Sequence, residues 1–274
     1  MPPALRIPEV TLCCVDTRTP DLAFHAIQRC ADLAVFGDIA FFCPHDWKPA
    51  SAGPDNLRLI GIDPLTSIDD YSDFVLRRVH PWVKTSHILI VQWDGFILRP
   101  DLWRPEFLQY DYIGPPWYHG GHPGMVGNGG FSLRSSKLLQ ALQKVPSIPN
   151  EPEDMVICVH LRHQLESQHG IQFAPLPIAQ EFGCEYGRWR ESFGFHGMHN
   201  FAHFMSDDEL SDWLQHAPQD ILKNKHARKL IKELMRSGRA RMARKLIRLR
   251  SEAVGWTKDQ CMLLARTVWH QLIP

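Results

Sequence analysis

Four short stretches of the 274-residue chain carry residue types that can do chemistry together: QWDG at 92–95, GNGGFSLRS at 127–135, EPEDMVIC at 151–158 and FGFHG at 193–197. Asp94 follows HILIVQ (87–92), the most apolar run in the chain. A carboxylate beside such a run is costly unless a cation or a good set of donors meets it. Asp94 therefore either caps a turn, with Gly95 next to it, or holds a ligand. A strand-ending carboxylate can hold a divalent cation, and the cation can neutralise a diphosphate leaving group. Gly127, Gly129 and Gly130, around Asn128, would let backbone approach a sugar or phosphate closely. Asp154, after Pro152 and Glu153, begins a helical pattern. There it can accept a proton from an incoming hydroxyl, or simply complement the helix dipole. His196 stands between glycines and is open to a metal-binding or a structural reading.

These residues need elements to position them. Residues 9–15, 39–43, 57–62 and 87–92 read as buried strands, and 21–36 and 69–83 have helical spacing, with Pro81 near the second end. Alternation of strand and helix over some ninety residues implies a parallel α/β sheet. Ligands of such sheets gather outside the carboxyl ends of the strands. Asp16, Thr17 and Arg18 after the first strand, and Gln92, Trp93 and Asp94 after the fourth, would then face one crevice. Beyond Pro100 the pattern loosens, and residues 118–130 hold six glycines, too many for a packed element. Trp93, Trp117 and Tyr118 offer rings for stacking on a base or sugar, or for the core. From about Asp207 the chain reads as helix, broken near Pro218, Gly238 and Gly255. The expected division is an α/β domain at 1–205 and a helical extension at 206–274.

Hydrophobic residues make up 44% and charged residues 22%, as in an ordinary soluble globular protein. No apolar run has membrane-spanning length, and residues 1–10 lack the form of a signal peptide, so the expected compartment is the cytoplasm. Seven Cys without a C-x-x-C read as reduced, mostly buried thiols rather than zinc ligands. The zero formal charge hides an asymmetry. Residues 223–250 hold twelve Lys and Arg against Glu233 alone, a net of +11, which leaves −11 elsewhere. That stretch is either a solvated basic face or a peripheral contact with anionic lipid at the inner face of a membrane. Nucleic acid is not expected, because no recognition motif accompanies the charge. His196, His199 and His203 fall at i, i+3 and i+7, a zinc-binding spacing on a helix, although Gly197 weakens the helix and no H-E-x-x-H is present.

The ordered series VQWDGFI, GNGGFSLRS, PEDMVIC and FGFHG resembles the GT-A class of nucleotide-sugar glycosyltransferases. It also resembles a bacterial, glycosyltransferase-like family catalogued as a domain of unknown function, over about residues 10–200. The resemblance implies a Rossmann-like mixed sheet flanked by helices, a UDP- or GDP-linked sugar donor, and Mn²⁺ or Mg²⁺. It gives Asp94 the place of the last acid of a D-x-D motif, and His196 that of a histidine completing the metal shell. Gln92 stands where the first acid, which contacts the ribose, would be. Asp16 and Arg18 stand where the first strand meets the nucleotide. Asp154, after Glu153, matches the catalytic base of inverting transferases. The acceptor class implied is a hydroxyl of a glycan, a lipid-linked saccharide or a lipopolysaccharide, as in cell-surface polysaccharide biosynthesis. Inversion is the expected outcome, since one carboxylate suffices for a single displacement. Gln92 also leaves room for a second function class: a non-catalytic nucleotide-sugar or glycan binding protein on the same fold.

Overall fold

The computed structural model describes residues 5–118, 125–145 and 148–272. Residues 119–124 of the glycine-rich run lie outside the described residues. The chain divides into two compact units, Met1–His196 and Gly197–Pro274.

The first unit is built on a six-stranded mixed sheet. Its strands are β1 (Leu5–Val15), β2 (Ala34–Pro44), β3 (Leu57–Ile62), β4 (His87–Val91), β5 (Tyr112–Ile113) and β8 (Ser132–Ser135), in the order β3-β2-β1-β4-β8-β5. β6 (Pro116–Trp117) pairs with β7 (Met125–Val126), and β9 (Gly183–Cys184) pairs in parallel with β10 (Gly194–Phe195). β3, β2, β1 and β4 run parallel, with Leu12 opposite Ile39 and Leu89. β8 then runs antiparallel to β4, placing Leu133 opposite Leu89. All five residues of β4 are buried, as an apolar run in mid-sheet requires. The helices are α1 (Pro20–Leu33), α2 (Ile68–Asp73), α3 (Ser136–Leu142), α4 (Glu153–Met155), α5 (Arg162–His169) and α6 (Leu176–Phe182).

α1 opens with Pro20 in its first turn and buries Ala23, Phe24, Ala26, Ile27 and Cys30. It stops at Leu33 rather than the expected 36, because the chain from Ala34 pairs with the start of β1. β1 and β2 are for the same reason longer than their apolar cores suggest. The helical pattern at 69–83 is split: α2 passes into a π-helical turn (Phe74–Arg78) and a 3₁₀ turn (His80–Trp82) containing Pro81. One core cluster lies against the sheet, with Cys13, Val15, Phe42, Phe74, Val75, Ile88, Ile90 and Leu139 buried.

The second unit contains α7 (Phe201–Phe204), α8 (Asp207–His216), α9 (Gln219–Lys223), α10 (Lys225–Arg236), α11 (Ala240–Val254) and α12 (Lys258–Leu272). The apolar face expected for α10 is its buried face: Ala227, Leu230, Ile231, Leu234 and Met235. On α11, Met242 and Leu246 are buried, while Leu249 is only half-buried. The division falls before the expected 205, since Met198–Asn200 and α7 pack on α10. Gly197, at φ 94°, turns the chain there.

The cysteines are free; six are buried and Cys261 is exposed. Burial pushes the Cys13 and Cys30 thiols up to about 12, which removes them as nucleophiles at neutral pH. No helix among the described residues is long and apolar enough to cross a membrane.

Candidate active site

The sheet order reverses between β1 and β4, the place where open α/β sheets form a ligand crevice beyond their strand ends. Gln92 to Gly95 close a tight turn at the end of β4: the N–H of Gln92 donates to the Gly95 carbonyl at 3.1 Å, and that of Gly95 to the Gln92 carbonyl at 3.0 Å. Half-buried Trp93 and buried Asp94 occupy its tip. Asp94 is thus both a turn residue and a carboxylate aimed at a partner. Its Oδ1 lies 3.6 Å from His196 Nε2.

His196 follows β10, and the buried Glu185 follows β9, so the pairing of these two short strands sets them side by side. His196 Nδ1 is 3.2 Å from Glu185 Oε1, and its Nε2 is 3.2 Å from Gln92 Oε1. Gln92 is oriented from its other end, where Nε2 donates to Tyr71 Oη at 2.9 Å. Burial opposes a charge on His196, but the Asp94 carboxylate and the hydrogen bond and charge of Glu185 outweigh it. They push the imidazole up to about 9. Burial, with Glu185, Asp94 and Asp154 nearby, also pushes the Tyr186 phenol up, so Tyr186 stays neutral and donates to Glu185.

The loop before β8 completes the group. Asn128 adopts a left-handed conformation (φ 57°), which Asn tolerates better than most residues. Its Nδ2 donates to Glu185 Oε2 at 2.7 Å, and its Oδ1 accepts from the Phe131 N–H at 3.3 Å. Gly129 donates its N–H to Asp154 Oδ2 at 3.0 Å. A Cβ on Gly129 would stand 1.9 Å from Glu153 Oε1, and one on Gly130 2.2 Å from His196 Nε2. These two glycines are there for close approach of side chains, whatever else enters the crevice.

Glu153 and Asp154 are neighbours with different surroundings. Glu153 is buried, and both its oxygens accept from Arg134 Nη2 at 2.9 Å. Arg134 is itself fully buried, with Nε donating to Ser132 Oγ and its guanidinium over the Tyr112 ring. Glu153, expected with Asp154 as a catalytic candidate, is engaged in this ion pair. Asp154 remains half-buried at the mouth, and burial pushes its carboxyl above the usual range while the Gly129 N–H pulls it back.

At the end of β1, Asp16 Oδ1 accepts from the N–H groups of Arg18 and Thr19, both at 2.7 Å, and Oδ2 accepts from Thr19 Oγ1. Asp16 therefore shapes the loop into α1. Thr17 Oγ1 accepts from the Leu65 N–H at 2.9 Å, tying that loop to the one after β3, while the Arg18 side chain is exposed. These three residues lie in the loop that follows β1. The structure brings together Gln92, Asp94, Asn128, Gly129, Gly130, Asp154 and His196. It adds Glu185, Tyr186, Tyr71 and Arg134, none of which stood out in sequence; the nearest signal was a lone acid in the apolar FGCEYG.

The helix needed for a His196–His199–His203 zinc site is not formed. Gly197 breaks it, and His199 and His203 lie on a 3₁₀ turn and on α7. Among the described residues no group of three or more His, Cys, Asp or Glu is arranged to hold a metal. Asp94 and His196, with the Gln92 amide oxygen as a third donor, make a thin set.

The first unit is a mixed α/β fold with carboxylates and an imidazole gathered near the end of β4. Residues 56–196 match the family model described as Protein of unknown function (DUF5672), and the chain belongs to that family. No curated protein matches the chain.

Proposed function

We propose that this protein transfers a sugar from a nucleotide-sugar donor to a hydroxyl of a glycan or lipid-linked saccharide, with a GT-A-type fold and inversion at the anomeric carbon. The carrying observation is the convergence of Asp94, Asp154 and His196 at the carboxyl edge of the β1–β4 switch point. The order β3-β2-β1-β4 followed by an antiparallel strand supports the GT-A reading.

In this reading the donor's diphosphate lies against Asp94, Gln92 and His196, and its nucleoside against the loops carrying Asp16, Thr17 and Arg18. Asp94 and His196 would hold Mn²⁺ or Mg²⁺, which would supply positive charge against the departing diphosphate. The acceptor oxygen bonds to the anomeric carbon as its proton passes to Asp154. The glycosidic bond breaks with its electron pair going to the diphosphate. A carboxyl raised by burial is a better base than an exposed one, and such help contributes roughly 10²–10⁴ in rate. Glu153 holds Arg134 and, through it, the wall of the Gly129 loop.

Donor turnover with Mn²⁺, measured over a panel of UDP- and GDP-sugars, tests the proposal. Asp154→Asn should cut kcat by roughly 10²–10⁴ with donor affinity retained. One observation favours the binding-protein alternative: Gln92 replaces an acid, and its amide is engaged at both ends by Tyr71 and His196. A wild-type protein that binds nucleoside diphosphate but turns over no donor would establish that alternative.

A further inference from the structure

The helical unit presents an apolar surface that its own packing does not use. α12 turns Gln260, Leu263 and Thr267 inward, each almost fully buried, at i, i+3 and i+7. Among its described side chains the exposed ones are Lys258, Cys261, Met262, Ala265 and Arg266, at i, i+3, i+4, i+7 and i+8, the spacing of a single helix face. Two polar side chains are thus inside while an apolar patch faces out, with a cation at each end of it. The preceding turn adds exposed apolar residues next to it in sequence. Trp256 is 56% exposed, Val254 37% and Met262 48%.

Basic residues gather at the same end. Arg228 of α10 pairs with Asp259 in the first turn of α12 at 2.6 Å, and Arg250 donates to the Leu222 and Asn224 carbonyls. These bonds tie the α9–α10 turn, with exposed Lys223 and Lys225, to the region where α11 ends and α12 begins. Some cations of the stretch pair within the unit: Arg239 with Asp207, Arg236 with Glu233, Lys223 with Asp220 and Lys245 with Ser211, while Arg241 and Arg248 of α11 are exposed.

We propose that the α11–α12 turn and the outer face of α12 dock on an anionic lipid surface. Trp256, Val254 and Met262 enter the boundary between headgroups and acyl chains, and Lys225, Lys258 and Arg266 meet the phosphates. The pairing of an exposed Trp with flanking Lys and Arg is what an interfacial contact requires. Charge complementarity selects the anionic headgroup, at about fivefold in affinity for each basic residue near the surface. The inference does not depend on the glycosyl-transfer reading.

Cosedimentation of the full chain with vesicles tests it, comparing phosphatidylcholine alone with phosphatidylcholine mixed with phosphatidylglycerol. Binding should be confined to the anionic vesicles and weaken with added salt. Lys258→Glu with Arg266→Glu should weaken it by about 30-fold or more, and Trp256→Ser, tested separately, by at least about fivefold. Both changes are at exposed positions, and a melting temperature near that of wild type checks that each variant folds. Absence of wild-type binding to anionic vesicles overturns the proposal, as does equal binding to neutral ones or binding undiminished in both variants. So do preferential association with duplex DNA and a dimer that buries Trp256.

Discussion

Gly129 meets Glu153 so closely that a single methyl group separates a working loop from a displaced one. Gly129→Ala should cost ~1–3 kcal/mol by overpacking and move the N–H that Asp154 accepts, lowering kcat as well; urea unfolding and donor turnover read the two effects. The ion pair behind that loop makes a stronger prediction. Arg134→Met strands a buried carboxylate and should cost about 3–5 kcal/mol, whereas adding Glu153→Leu should recover most of it. A single variant as stable as wild type would show that the pair does not support the loop. His196 gives a prediction in pH. Its pKa is raised from 6.5 to about 9 in the fold, so its contribution is complete below about 6.5 and is lost as pH rises through about 9. In metal-free protein, stability should fall by roughly 3 kcal/mol across that window, and His196→Gln should flatten the fall. Chemical denaturation at a series of pH values measures it.

The elements were readable where a period or a cap announced them. β4 was visible as four consecutive apolar residues, Ile88 to Val91, and α10 as a stripe that the structure buries in full. α2 is fixed by a capping box in which Ser67 and Asp70 exchange hydrogen bonds with each other's backbone; Ser67→Ala should cost about 1 kcal/mol in thermal or chemical unfolding. What periodicity could not show was pairing. The extensions of β1 and β2 come from strand-to-strand hydrogen bonds between residues that are partly polar. The antiparallel placement of β8 depends on contacts with β4 that no local pattern encodes. Glu185 was hidden for the same reason: it reaches the site only because β9 pairs with β10. Asp94, Asp154 and His196 were readable because each sits at a punctuation mark, whether a strand end, a helix start or a glycine-flanked turn. Glu153 looked equally eligible in the sequence; its ion pair with Arg134 gives it different surroundings from Asp154.

Across the whole molecule, the family match spans β3 to His196 and so includes Gln92, Asp94, the Gly129 loop, Asp154 and Glu185, but not the Asp16 loop after β1. The charge asymmetry was plain in the sequence, yet its meaning depended on which cations the helical unit keeps for itself. The switch-point position of Asp94 gives the molecule its functional sense, and binding of nucleoside diphosphate tests that directly. Calorimetric titration of UDP and GDP into wild-type protein with Mn²⁺ should show saturable binding to one of them. Asp94→Asn should weaken that binding at least about tenfold, the loss of roughly 1.4 kcal/mol expected when one carboxylate of a cation–diphosphate contact is removed. Equal affinity of Asp94→Asn and wild type would contradict the account.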